Sequence, residues 1–163
     1  MVKNFILSIS VLALLSIFLV IITSYIKDQQ TKNKNGCELN IQKIISIDSK
    51  SVEVEIADND FKRSKGLSGI KILNDKCGML FLFDDIDHER TFWMKDMIIP
   101  IDILWIDNDK IIKIDKNVQP EPDATDSQLK LYSSDYSVDY VIELNAGYAD
   151  RNNLKVGDEI SIN

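Results

Sequence analysis

The sequence predicts a mainly β fold, a compact sandwich or small barrel with one short helix, preceded by a single N-terminal transmembrane helix. Three features point to this class. Short apolar stretches bounded by turn-forming residues recur from residue 39 onward; one uncharged apolar run stands near the N-terminus; and 163 residues include only three Pro and six Gly, leaving most of the chain free for regular structure. With 45% hydrophobic and 28% charged residues, the composition is that of one globular domain plus a small appendage, which excludes fibrous and fully disordered chains. The organisation read from it is an anchor over 1–27, a flexible tether over 28–38 and a globular β domain over 39–163.

The anchor is Phe5 to Ile26, without one charge and bracketed by Lys3 and Lys27. About 20 apolar residues at roughly 1.5 Å rise cross a hydrocarbon core, so this run is long enough to span. A cleaved secretory signal has a shorter apolar region of about 7–15 residues and an Ala-x-Ala-like site. Thr23-Ser24-Tyr25 offers small residues but no good site. A lipoprotein signal needs its cysteine directly after the apolar run, whereas Cys37 follows Lys34-Asn35-Gly36. Residues 5–26 are therefore read as a retained membrane anchor. The basic flanks are nearly balanced, Lys3 against Lys27, Lys32 and Lys34; the short tail before the run favours a single-pass cell-membrane protein with its globular domain on the extracytoplasmic side. The polar, Lys-, Asn- and Gln-rich segment after it lets that domain stand off the bilayer.

The β elements follow in order. Leu39 to Ile47 and Ser51 to Ala57 read as strands, the second with Val52, Val54 and Ile56 alternating against Glu53 and Glu55, and Asp48-Ser49-Lys50 suits the turn between them. Asp58 to Gly66 breaks the alternation and reads as a short helix stopped by Gly66. Met79 to Phe83, Thr91 to Lys95, Ile101 to Ile106 and Ile111 to Asp115 are further strands, with Asp107-Asn108-Asp109-Lys110 as a hairpin tip. Closely spaced prolines make Gln119 to Ala124 a loop. Tyr140 to Leu144 is a strong strand, a turn or single helical turn follows Gly147, and Glu159 to Ile162 closes the domain.

Charge and motif content exclude several chemistries. The net charge is −7, and residues 28–163 alone carry 17 basic against 26 acidic side chains, so no nucleic-acid partner is expected. There is no glycine-rich phosphate loop, no dinucleotide fingerprint and no Gly-x-Ser-x-Gly turn, and His88 is the only histidine. The acidic stretch Asp84-Asp85-Ile86-Asp87-His88-Glu89 lacks the oxygen spacing and central glycine of a calcium loop and reads as a solvated connection. No metal and no cofactor are expected. Cys37 and Cys77 are open to two readings, one disulfide in an oxidising compartment or two independent buried thiols.

More specific wording sits in the middle of the domain: Arg63-Ser64-Lys65-Gly66-Leu67, then Cys77-Gly78-Met79-Leu80-Phe81, then Thr91-Phe92-Trp93-Met94-Lys95 running into Ile99-Pro100-Ile101-Asp102-Ile103. Tyr132-Ser133, Tyr140 to Leu144 ahead of Ala146-Gly147, and Leu154-Lys155-Val156-Gly157-Asp158 continue the pattern. Together these motifs resemble the family called domain of unknown function 192. The resemblance implies a mainly β single-domain fold, often exported behind a signal or anchor, and no settled activity. This chain departs from the family pattern at Asp96-Met97, where Asn-Thr is usual, and at Ser68, where Met is frequent; any ligand contact made by that Asn-Thr pair is in doubt here.

The candidate ligand-binding residues are Arg63, Trp93, Lys95, Asp102 and Glu143. Lys95 and Asp102 interrupt apolar stretches, where a charge is costly unless paired or wet. Strand alternation places Trp93 beside Lys95, offering a stacking surface and a cation to a sugar, a carboxylate or a peptide end. A structural Lys95–Asp102 ion pair at the turn through Pro100 is the bland alternative. Arg63, at the end of the predicted helix, and Glu143 suit a buried Arg–carboxylate fork. The function expected is binding of a polar small molecule or an envelope partner through the Trp93–Lys95 region. Its rivals are an envelope hydrolase or lyase using Asp102 and Glu143 as paired carboxylates, and a pure interaction module whose acidic surface meets a basic partner.

Overall fold

The computed structural model describes residues 14–25, 37–85 and 88–162. The chain divides into two units, Met1–Asn35 and Gly36–Asn163. In the first, residues 14–25 form helix α1, with Leu15, Phe18, Val20 and Tyr25 exposed. Much of the expected span over Phe5 to Ile26, and the tether up to Gly36, lie outside the described residues. Among the described residues no helix is long and apolar enough to cross a membrane.

The second unit is mainly β. It holds β1 (Lys43–Ile47), β2 (Lys50–Ala57), α2 (Asp60–Lys65), β3 (Cys77–Leu82), β4 (His88–Phe92), β5 (Ile101–Asp107), β6 (Lys110–Val118), β7 (Tyr132–Val138), β8 (Tyr140–Asn145), α3 (Tyr148–Arg151) and β9 (Ile160–Ser161). Seven strands form one sheet in the order β6-β5-β8-β3-β2-β1-β9, and β4 and β7 form a separate ribbon. The large sheet curls into a half-barrel, and its two edges approach at one end, where Lys110 bridges Glu159 and the Ile160 N–H donates to the Asp109 carbonyl at 2.9 Å. The expected sandwich or small barrel is thus a curled half-barrel, and the turn or single helical turn expected after Gly147 is the one-turn helix α3, which makes two short helices in this unit where one was expected.

Local chemistry explains most of these elements. Asp48 and Ser49 between β1 and β2, and Asn108 and Asp109 between β5 and β6, all have positive φ, the backbone that two-residue hairpin turns need to match strand twist. β3, β5 and β8 are buried along nearly their whole length and read as apolar runs, broken only by Asp102 and Asp107 in β5 and by Glu143 and Asn145 in β8, because they lie inside the sheet with both faces covered. One face packs Ile45, Ile47, Val52, Val54, Leu80, Leu104, Ile106 and Ile142; the other packs Ala57, Met79, Phe81, Ile103, Trp105 and Val141 against Leu67, Met94 and Met97. On that second face Phe92 of the ribbon meets Phe81 and Trp105 edge-on, at 4.8 and 5.4 Å between ring centroids. Gly78 fits the tight approach of β3 to β8, since a Cβ there would stand 2.6 Å from the Glu143 carbonyl oxygen.

Two differences from the sequence reading bear on function. The strand expected over Thr91 to Lys95 is displaced to His88–Phe92: its ladder with β7 ends at Phe92 opposite Tyr132, and Asp96 takes positive φ, which turns Trp93 to Met97 out of the ribbon. Its partner β7 is not foreseen, because Tyr132–Val138 is a polar segment that buries only Ser134 and Val138. Cys37 and Cys77 form a disulfide, with Cα atoms 6.4 Å apart, which ties the start of the domain to β3.

Asp102 also has a different role from the one expected. It is fully buried in β5 and accepts backbone N–H groups from Asn117 at 2.8 Å, Gly147 at 3.1 Å and Ala149 at 2.8 Å. One carboxylate thereby fixes the end of β6 and the entry to α3. Each such hydrogen bond is worth about 1 kcal/mol, and the buried donors left unmet on its removal carry a further penalty of about 1–3 kcal/mol. Asp102→Ala is expected to lower unfolding free energy by at least about 3 kcal/mol, read as a lower urea midpoint with an unchanged slope; a midpoint matching wild type would refute this role.

Candidate functional site

β2 and β3 run parallel, the one parallel pair among the described strands, so the chain between them must cross a sheet face instead of turning back in a hairpin. That connection carries α2. The Asn59 side chain caps its start by accepting from the Lys62 N–H at 3.0 Å, and Gly66 ends it at φ 49 with its N–H on the Lys62 carbonyl at 2.8 Å. Gly66 is thereby placed near the carboxyl of Glu143, which projects from β8.

A cavity of about 470 Å³ lies there. Its walls come from α2 and the following turn (Asp60, Arg63, Lys65, Ser68), the end of β3 and its extension (Phe81, Phe83), and the ribbon and the segment leaving it (Arg90, Phe92, Trp93, Lys95). Trp93 is 44% exposed at the rim, with the Lys95 ammonium 5.8 Å from its ring centroid. Lys95 pairs with Asp126, and that hydrogen bond raises its pKa. Two backbone-directed bonds hold this segment beside α2: Ser68 Oγ donates to the Lys95 carbonyl at 2.8 Å and the Gly69 N–H to the Asp96 carbonyl at 3.1 Å. Across the cavity the Arg63 guanidinium donates to the Leu82 carbonyl and Asp60, both at 2.7 Å, and reaches Asp84 at 3.4 Å. Arg90 lies 4.0 Å over the Phe83 ring and pairs with Asp85 at 3.0 Å.

Glu143 contributes the cavity's deepest ionisable group. It stands in the middle of the sheet, opposite Met79 on one side and Ile103 on the other, and is 5% exposed. Its Oε2 is buried and has no hydrogen-bond partner among the described residues. Loss of water around it pushes its pKa up to about 8, so the carboxyl is mostly neutral at physiological pH. Gly66 adjoins it: a Cβ at Gly66 would lie 3.8 Å from Oε2 and 3.6 Å from Phe81 Cζ.

Of the five residues expected to bind ligand, Arg63, Trp93, Lys95 and Glu143 line this one cavity and Asp102 does not. The expected Lys95–Asp102 ion pair is absent: Lys95 reaches Asp126 from a distant loop, and Asp102 is satisfied by backbone donors. The Arg63–Glu143 fork is absent as well, since the guanidinium turns to Asp60, Asp84 and Leu82. Arg63 lies in the last turn of α2, as expected. Register removes the paired-carboxylate arrangement: Asp102 stands opposite Leu144 while Glu143 stands opposite Ile103, so the two carboxyls point to opposite faces of the sheet. Arg90, Phe83 and Asp126 were not foreseen. Asp126 has no local signal, being 31 positions from Lys95, whereas Arg90 and Phe83 flank motifs that were noticed. The acidic stretch Asp84 to Glu89 lies partly outside the described residues, and among those described no group of three or more side chains could hold a metal ion.

Chemically, the cavity combines a neutral carboxyl able to donate or accept, aromatic faces, and cations that mostly already hold carboxylates. Comparison with known proteins agrees on the fold and gives no activity. Residues 43–162 match DUF192, described as an uncharacterised family. A Sinorhizobium meliloti 1021 protein, provisionally described as a transcription regulator, superposes with a TM-score of 0.66 at 29% identity, over 77% of this chain and 97% of its own. A protein of unknown function from Novosphingobium aromaticivorans DSM 12444 superposes with a TM-score of 0.65 at 26% identity, over 72% of this chain and 83% of its own. No curated protein matches the chain.

Burial of Glu143 has a measurable consequence. The native state keeps its proton where the unfolded chain has released it, so stability declines as pH rises from about 4.5 through about 8 and then levels off. Glu143→Gln removes that decline. At about pH 9 the variant is expected to be more stable than wild type by on the order of a few kcal/mol, with the two close together near pH 5. Urea denaturation across this range is the check, and parallel pH profiles for the two proteins would contradict the assignment.

Proposed function

The chain belongs to the uncharacterised DUF192 family, and on that premise we propose that its β domain binds a small polar ligand in the cavity between α2, β4 and β8. One observation carries this reading: the buried Glu143 oxygen that finds no hydrogen-bond partner among the described residues and lines an open cavity of about 470 Å³. Buried polar atoms in folded proteins are almost always bonded, because leaving one unmet costs about 1–3 kcal/mol. A ligand group bonded to Oε2 offsets that cost. Trp93, exposed at the rim, supplies the stacking surface that holds the remainder of the ligand.

The same proposal places the domain on the extracytoplasmic side of the cell membrane, tethered through residues 5–26. Support comes from the uncharged run between Lys3 and Lys27 and from the Cys37–Cys77 disulfide, a bond that persists in oxidising compartments and is rare in the cytosol. A nucleic-acid role is not carried over from the Sinorhizobium meliloti relative, because a net charge of −7 opposes phosphate contacts.

Thermal melting of the detergent-solubilised full chain against sugars, amino acids, amines, carboxylates and cell-wall fragments tests the binding reading. At a hundredfold excess over Kd a true ligand adds about 2.7 kcal/mol to the native state, a rise in Tm that saturates. Trp93→Ala, a change at a half-exposed site, is expected to leave the ligand-free melt nearly unchanged and to erase most of the ligand-induced rise. A panel without any saturable shift would remove the reading. For the membrane side, protease added outside intact spheroplasts is expected to digest residues 37–163, and full protection of that domain would reverse the orientation.

A further inference from the structure

We propose that the ligand of this cavity carries an ammonium group, which seats against the Glu143 carboxyl with the Phe81 and Phe92 rings beside it. This rests on the ligand-binding reading above and names the ligand class.

The first support is the state of the cavity's own charges. Arg63 is committed to Asp60, Asp84 and the Leu82 carbonyl, Arg90 to Asp85, and Lys95 to Asp126. Lys65 stands exposed at the C-terminal end of α2. Among the described residues no cation meets Glu143 Oε2. An anionic ligand would therefore find three of the cavity's four cations, Arg63, Arg90 and Lys95, already held by carboxylates. An ammonium supplies the one thing this buried oxygen lacks, a charged donor, and charge-assisted hydrogen bonds are about twice as strong as neutral ones.

The second support is aromatic. Ring faces are electron-rich and attract cations, and two rings of this cavity already hold them: Phe83 under Arg90 at 4.0 Å and Arg63 at 5.9 Å, and Trp93 near Lys95 at 5.8 Å. Phe81 and Phe92, 4.8 Å apart, line the same space, and Phe81 Cζ and Glu143 Oε2 are both close to Gly66. The acidic excess of the whole chain, −7, favours the approach of a cation over that of an anion.

Binding also moves a proton. The free carboxyl is mostly neutral below about pH 8; pairing with an ammonium ionises it, its proton passes to solvent, and the ligand keeps its own. Affinity is therefore expected to rise by up to about tenfold per pH unit toward pH 8 and then level. A neutral hydroxylated ligand would give no such rise. The other ionisable groups facing the cavity are Asp60, Arg63 and Lys65 from α2, Asp85, Glu89 and Arg90 from β4 and the residues before it, and Lys95; His88 lies beside Asp85 at 3.6 Å. Comparison with Glu143→Gln separates Glu143 from all of them.

The test uses three five-carbon probes of matched length, 1,5-diaminopentane, 1,5-pentanediol and glutarate, on the full chain in detergent at constant ionic strength. Tm and isothermal titration at pH 6, 7 and 8 are the readouts, for wild type and Glu143→Gln. The expected result is a saturable diaminopentane signal that strengthens with pH in wild type and falls by tenfold or more at pH 8 in the variant, which itself melts cooperatively. Equal diaminopentane affinity and pH dependence in the two proteins would overturn the inference. Binding of pentanediol or glutarate in place of the diamine would overturn the ammonium assignment and leave the ligand-binding reading standing. No signal from any of the three probes overturns the inference, whereas only a blank across the wider panel above removes the ligand-binding reading as well.

Discussion

The parallel pairing of β2 with β3 is the constraint on which the rest of this domain depends. Neighbouring antiparallel strands can be joined by a few residues, but a parallel pair needs the chain to return to its starting end, and here residues 58–76 make that journey across the sheet. They carry α2, its glycine stop and Leu67, which is buried against the same face as Phe81 and Val141. The β4–β7 ribbon covers more of that face through Phe92. Neither cover is continuous with the other, and the gap between them is the cavity.

A cavity over the middle of a sheet would ordinarily be lined by apolar side chains, as most of the opposite face of this sheet is. Glu143 breaks that rule at a strand position flanked by Met79 and Ile103. Its neutral form makes the burial tolerable, because the larger desolvation penalty belongs to the charge. Asp102, one strand away and equally buried, solves the same problem in another way: it stays surrounded by three backbone donors. One buried carboxylate is saturated and holds the fold together; the other is unsaturated and faces open space. That contrast, within a single sheet, separates an acid tied into the backbone from one left open to the cavity.

The rim shows a related economy. Arg63, Arg90 and Lys95 all border the cavity, yet each is held by a carboxylate from the protein itself. These pairs are largely solvent-facing, so each contributes little to stability. Their structural effect is to fix where the guanidinium and ammonium heads lie, over Phe83 and near Trp93, and to leave the floor as the place where a new charge can be met.

Much of this was legible in the residues alone. Alternation and turn chemistry gave the β1–β2 and β5–β6 hairpins, Gly66 gave the end of α2, and the motifs gave the family that matches residues 43–162. Arg63, Trp93, Lys95 and Glu143 were singled out because each is a polar or stacking side chain within a motif or an apolar run. Partners were a different matter. Whether Lys95 meets Asp102 or Asp126, whether Arg63 meets Glu143 or Asp60, and which face of the sheet each carboxyl takes are decided by register and by contacts between residues distant in the chain. β7 escaped for a similar reason, since its strand character comes from pairing with β4 and not from its own polar sequence. Local sequence therefore determined most of the elements, β7 and the bounds of β4 excepted, and which side chains carry chemistry, because hydrophobic period and turn preference act over a few residues. Only the tertiary structure decided which of those side chains share a cavity, because sheet order and the crossover bring together residues that no spacing along the chain connects.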